Sequence, residues 1–194
     1  MHTYSRLLGI LFGVLMILLS LAITAETLLR KLFSVSLGGI DELGGYAIAV
    51  AAPLAFTVAL VENAHIRINQ LTALFPRPVQ AVLDALSVLS MAVLAGYFFF
   101  FTIDTVMDTF AYQSIAPTPW ATPLIYPQTV WLVASATFPI AAIILATQAL
   151  RLLAMGDWRA VTRRFGPPTP EDELKAELDD LKRREALIHE GAPS

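Results

Sequence analysis

The side chains best placed to do chemistry in these 194 residues are a few acids set beside long apolar runs: Glu26, Asp84, Asp104 and Asp108. An ionisable group near lipid is a functional hypothesis by default. Asp104 and Asp108 are four residues apart, so a helix presents both on one face. Two carboxylates are still too few for a dedicated hard-cation site, which takes about six to eight oxygen ligands. Asp84 can complement a helix start or pair with Arg67 or Arg77, a simpler role than proton relay. His2, His65 and His189 are far apart and there is no cysteine. Thiolate metal sites, disulfides and cysteine nucleophiles are therefore excluded. No hydrolase elbow, phosphate loop, paired-histidine zinc motif or dinucleotide fingerprint occurs. Neither enzyme activity nor a cofactor nor a metal is expected.

The elements that must position these acids are read from hydropathy. The chain is 56% hydrophobic and 15% charged, with a mean hydropathy of +0.65. A soluble domain carries about a quarter charged residues, so lipid is the expected solvent. Eight of the 13 Lys and Arg and nine of the 16 Asp and Glu follow Leu150, which leaves membrane material followed by a charged tail. A net charge of −3 offers no basic patch for nucleic acid. Uncharged runs of about 20 residues place spans at about residues 7–27, 44–61, 79–103 and 129–150. The first run is longer than the apolar core of a signal peptide and lacks a small-x-small cleavage site, so it reads as an anchor. The expected fold is an all-α integral membrane protein: a four-helix domain over 1–165, then a cytoplasmic tail over 166–194.

Basic residues in the short flanks set the orientation. Arg6, Arg67, Arg77, Arg151, Arg159, Arg163 and Arg164 fall on one side, and only Arg30 and Lys31 on the other. Seven against two places both termini in the cytoplasm. The outer third loop carries Tyr112, Trp120 and Tyr126 among four prolines, which suits the headgroup zone and prevents regular helix.

Small residues at four-residue spacing suggest how the spans pack. Ala47, Ala51, Ala55 and Ala59 follow Gly44 and Gly45 in the second span, and Gly9 and Gly13 stand in the first. Such stripes let backbones approach closely, although alanine is also simply common in membrane helices. Phe98–Phe101 suit lipid or a partner groove. In the tail, Gly166–Pro168 breaks the chain, Thr169 is a plausible N-cap and Pro170 a first helical residue. A charged helix over about 170–190 is expected there, supported by the i,i+4 pairs Glu171–Lys175, Asp179–Arg183 and Asp180–Arg184.

An ordered set of motifs runs through this topology. Glu26-Thr-Leu-Leu-Arg30-Lys-Leu-Phe33, Ser36, Gly39, Asp41-Glu42 and Tyr46 link the first two spans. Ala64-His65-Ile66-Arg67-Ile68-Asn69-Gln70-Leu71 and Phe75-Pro76 follow, then Ser114, Pro117, Pro123 and Pro127. From about Arg6 to Leu150 the chain resembles the small membrane subunit of tripartite ATP-independent periplasmic (TRAP) transporters, the DctQ-like family. The resemblance implies a non-catalytic subunit of the bacterial inner membrane. Its partner would be a large transporter membrane subunit that moves an organic acid with sodium, served by a periplasmic substrate-binding protein. Arg30, Glu42, Tyr46, His65 and Arg67 match the family's motif and become candidates for folding or intersubunit contacts, with Glu26, the alanine stripe and Ser114 beside them. The chain departs from the pattern in two places: Gln113 precedes Ser114 where the family often has a basic residue, and the tail is long. A structural accessory subunit of another bacterial membrane complex that reuses this scaffold is the alternative.

Overall fold

The computed structural model of the chain describes residues 2–63, 72, 74–166, 174, 177–182 and 184. Helices α1 (His2–Phe33), α2 (Ile40–Val61), α3 (Arg77–Tyr112) and α4 (Ile125–Ala154) are each long and apolar enough to cross a membrane. A short fifth helix, α5 (Trp158–Phe165), follows them. The protein is an all-α, four-helix membrane protein.

The helices outrun the apolar stretches because charged residues at their ends are compatible with helix. Nothing breaks α3 at Ile103, so it continues through exposed Asp104 and Asp108 until Gln113 turns left-handed at φ 50°. Asp84 consequently lies about two turns inside α3 and is buried, rather than at a helix start. Pro127 sits in the first turn of α4, where a missing N–H costs nothing.

Packing contacts run α1 on α2, α2 on α4 and α4 on α3. The four helices thus form an open row in the order α1, α2, α4, α3. Burial within the chain follows that order: 33% of the apolar window of α4 is covered, against 6% of that of α1. The tightest seam joins α3 to α4, where Ala81, Ala85 and Ala95 meet Ala141, Ala142 and Ala149. With so little side chain between them the backbones approach closely, which is how membrane helices associate.

Polar contacts tie the other seams. Thr57 on α2, fully buried, donates to the Pro53 carbonyl at 2.8 Å and shares a 2.9 Å hydrogen bond with Thr137 on α4. The Tyr4 hydroxyl of α1 donates to the Thr137 carbonyl at 3.3 Å, while Leu8 packs with Leu54 and Ala134. Ser5 hydrogen-bonds Glu62 at the end of α2.

Gly156 and Asp157 make the turn into α5. Gly156, at φ 72°, donates to the Leu153 carbonyl at 3.0 Å, and Asp157 N–H reaches the Leu152 carbonyl at 3.2 Å. This is the paired bonding of a Schellman stop, for which glycine suits the left-handed residue. The Asp157 carboxylate then caps α5 by accepting from Ala160 N–H at 3.0 Å. The chain folds back, and Val161 and Phe165 bury fully against α3 and α4. In the tail, residues 177–182 and 184 are helical, and Arg184 pairs with Asp180 at 2.9 Å. Thr169 lies outside the described residues.

The glycines of α1 behave differently from the alanines of α3 and α4. A Cβ added at Gly9, Gly13 or Gly45 would meet nothing within 4 Å, so these positions serve no close approach inside the chain. Substituting Ala142→Leu is expected to cost about 1–3 kcal/mol by overpacking the α3–α4 seam. Gly13→Leu, in open space, is expected to leave stability unchanged or slightly raised. Thermal unfolding of the two variants in detergent separates them, and equal losses would refute the seam assignment.

Candidate functional site

At the end of the row where α1 runs into α2 and α3 into α4, two buried glutamates organise the loops. This is the loop end; the other, where Ser5 meets Glu62, is the terminal end. Glu26 sits near the end of α1. Its Oε1 accepts from Arg30 at 2.8 Å and from the Ser36 hydroxyl at 2.6 Å, and its Oε2 accepts from Leu37 N–H at 2.9 Å. The Ser36 hydroxyl in turn accepts from Gly38 N–H at 3.1 Å. A carboxylate so engaged folds residues 34–38 back over the helix end. Arg30 is 64% exposed, so the attraction contributes little beyond holding geometry.

Glu42 does the same for the third loop. It lies in the first turn of α2, where a negative charge favours the helix N-terminus. The Tyr46 hydroxyl donates to it at 2.6 Å, and Thr118 and Thr122 donate from the loop between α3 and α4. That loop is closed on itself by Ala116 N–H to the Thr122 carbonyl at 2.9 Å and Leu124 N–H to the Ser114 carbonyl at 3.0 Å. Ser114 N–H also reaches the Thr109 carbonyl at 3.2 Å, so Ser114 contributes backbone at the loop's base. The Trp120 indole lies on Gly39: a Cβ there would stand 2.0 Å from Trp120 Cε2. Only glycine admits this contact without displacing the ring.

Each of these acids accepts several hydrogen bonds and so fixes the loop that supplies them. Asp84 is buried at the opposite end beside α5; a Cβ at Gly166 would stand 3.1 Å from its Oδ2. Among the described residues no group of three or more acidic or histidine side chains could hold a metal. His65 and Arg67 lie outside the described residues. Of the alanine stripe, Ala51 is buried, and Ala47, Ala55 and Ala59 are half-buried. The inward face of α2 is instead Ala51, Leu54, Thr57 and Leu60, a three-residue rhythm that the four-residue stripe does not follow.

Between α2 and α3, over α4, runs an apolar groove of about 680 Å³, walled by Pro53, Phe56, Met91 and Phe98 and floored by Trp131 and Phe138. Phe100 and Phe101 face outward. Thr118, Thr122, Thr137 and α5 were not singled out from sequence. Gly156-Asp157 is a legible stop-and-start signal for α5, but nothing local in the sequence marks the two loop threonines as carboxylate partners.

Glu42→Ala is expected to cost about 1–3 kcal/mol, since it removes a buried carboxylate and leaves its half-buried hydroxyl donors without their acceptor. It should free residues 113–124 while leaving helical content intact. Limited proteolysis beside circular dichroism checks this, and unchanged cleavage in that loop would refute the anchoring role.

The sequence model of the family described as "Tripartite ATP-independent periplasmic transporters, DctQ component" matches residues 19–154. No curated protein matches the chain. The family match spans well over half of the sequence, and the chain belongs to that family.

Proposed function

We propose that this DctQ-family member is the non-catalytic small permease subunit of a TRAP-type secondary transporter. In this reading it lies in the bacterial inner membrane with both termini cytoplasmic. It packs on the large sodium-coupled subunit and steadies that subunit's scaffold during organic-acid uptake. A periplasmic substrate-binding protein meets the assembly without a site on this chain. Residues 1–165 act as the membrane part and 166–194 as the cytoplasmic tail.

The observation that carries the reading is where polarity sits. The buried acids Glu26 and Glu42 lie near helix ends and accept from loop donors, and Asp84 lies about two turns inside α3 beside α5. The described mid-span contacts are alanine seams, the Thr57–Thr137 pair, buried Ser135 and the Tyr4 bond to the Thr137 carbonyl. Pro53 and Pro139 lie inside α2 and α4, and no carboxylate or basic group is among these contacts. A transport pathway instead needs polar or broken helices meeting near mid-bilayer. The open row supports a partner as well. Only 6% of the apolar window of α1 is buried within the chain, and a Cβ at Gly9 or Gly13 would meet nothing within 4 Å; helix backbones meet at such positions. Arg6, Arg77 and Arg151 share the terminal end with the α5 arginines, which supports a cytoplasmic assignment for that end. Arg30, Glu42, Tyr46 and Ser114 then shape the outer face, and His65 and Arg67 belong to the inner one.

Tagged full-length chain, extracted from its native membrane, is expected to bring down a large many-span membrane subunit. Gly9→Leu with Gly13→Leu should reduce that recovery several-fold without unfolding the chain. If no such subunit co-purifies, the reading fails. If removing 169–194 instead dissolves an unrelated assembly and leaves solute uptake intact, the chain serves another complex.

A further inference from the structure

The terminal end carries a second cavity, of about 610 Å³, where the end of α2, the last turns of α4 and α5 come together. Its lining is divided by chemistry. Half-buried Val61 and Leu152, backed by buried Leu145 and Phe165, supply an apolar wall, and Asn63, Arg163 and Arg164 supply a polar one. The Schellman turn at Gly156 creates this division. By folding α5 back it buries Val161 and Phe165 completely, and the cationic side of the helix is left facing out. Asn63 Nδ2 donates to the Arg164 carbonyl at 3.3 Å, which joins the end of α2 to α5. The Arg164 guanidinium stands 5.7 Å from the Phe165 ring centre.

Three carboxylates lie near α5. Asp84 is buried beside Gly166, Glu62 accepts from Ser5 of α1, and Asp157 accepts from Ala160 N–H. Arg163 and Arg164 are exposed and in none of the ion pairs among the described residues. The guanidiniums therefore present positive charge beside an apolar slot, at the level where membrane helices end. A soluble anion would use the arginines and leave the leucine wall wet. A neutral lipid would fill the wall and leave the arginines unmatched. A lipid with an anionic headgroup satisfies both, and basic pockets between membrane helices suit such headgroups.

We propose that this cavity binds an anionic phospholipid, its phosphate held by Arg163 and Arg164 and an acyl chain lying against Val61 and Leu152. The site uses only this chain's own residues and stands apart from the proposed partnership with a large subunit.

The test uses the full-length chain in a neutral detergent. Thermal unfolding is followed while phosphatidylglycerol, phosphatidylcholine of the same acyl chains, or inorganic phosphate is added. Phosphatidylglycerol is expected to raise the midpoint saturably, and the other two to have little effect. Arg163→Gln with Arg164→Gln should raise the half-saturating concentration about tenfold or more. Arg159→Gln, on the same helix but outside the cavity, should leave it unchanged. Equal stabilisation by phosphatidylcholine or by phosphate alone would overturn the site. So would loss of the preference in Arg159→Gln to the same extent, which would mean diffuse surface charge. Should the double variant fail to fold, native mass spectrometry of the unaltered chain decides. One phosphatidylglycerol retained through detergent exchange supports the site, and no retained lipid overturns it.

Discussion

In hydrocarbon, leucine gains nothing by turning from lipid to protein, so helices hold together only as well as their backbones approach and their few polar groups pair. In this chain both conditions are met on α4. One side of α4 offers Ala141, Ala142 and Ala149 to the alanines of α3. Thr137, elsewhere on the same helix, bonds Thr57 of α2 and receives Tyr4 of α1. Three neighbours thus depend on one helix, and α1 and α3 are left as the edges of an open row. A closed bundle would have spent these surfaces on itself; the row leaves α1 and the groove between α2 and α3 facing outward.

The same scarcity of partners explains where the acids went. A carboxylate in or near lipid must bring its donors with it. Glu26 collects Arg30, Ser36 and the Leu37 N–H, and Glu42 collects Tyr46, Thr118 and Thr122. Each cluster converts a potentially costly charge into a fixed loop, so the loop end is shaped by hydrogen bonding and the span interiors by close packing. That division is the feature on which the proposed role beside a large subunit rests.

At the terminal end, the turn at Gly156 and Asp157 gives the chain a second kind of surface. Buried Val161 and Phe165 clamp α5 to α3 and α4, so the arginines of α5 are held in place at the membrane boundary. A flexible basic tail would attract the same lipids diffusely. A clamped helix beside an apolar slot can select one.

Much of the architecture was legible in the residues because lipid is a strict solvent. A span must be long, apolar and internally bonded, so four runs and a charged tail follow from composition, and basic flanks suggest a direction. Glu26 stood out as an acid beside an apolar run, which needs donors, whereas Arg30, Glu42 and Tyr46 were marked only by the resemblance to the family's motif. What the sequence could not decide was which faces meet. Gly9, Gly13 and the four-residue alanine stripe looked like the packing seam, yet the tight seam is built from alanines scattered through α3 and α4. Spacing reports that a helix has a small-residue face and not which neighbour uses it. Thr118 and Thr122 reach Glu42 from about 80 residues away in sequence, a pairing that only the folded loop creates. Tertiary structure alone decided the helix order, because in a membrane that order depends on backbone fit between distant segments, which no local pattern encodes.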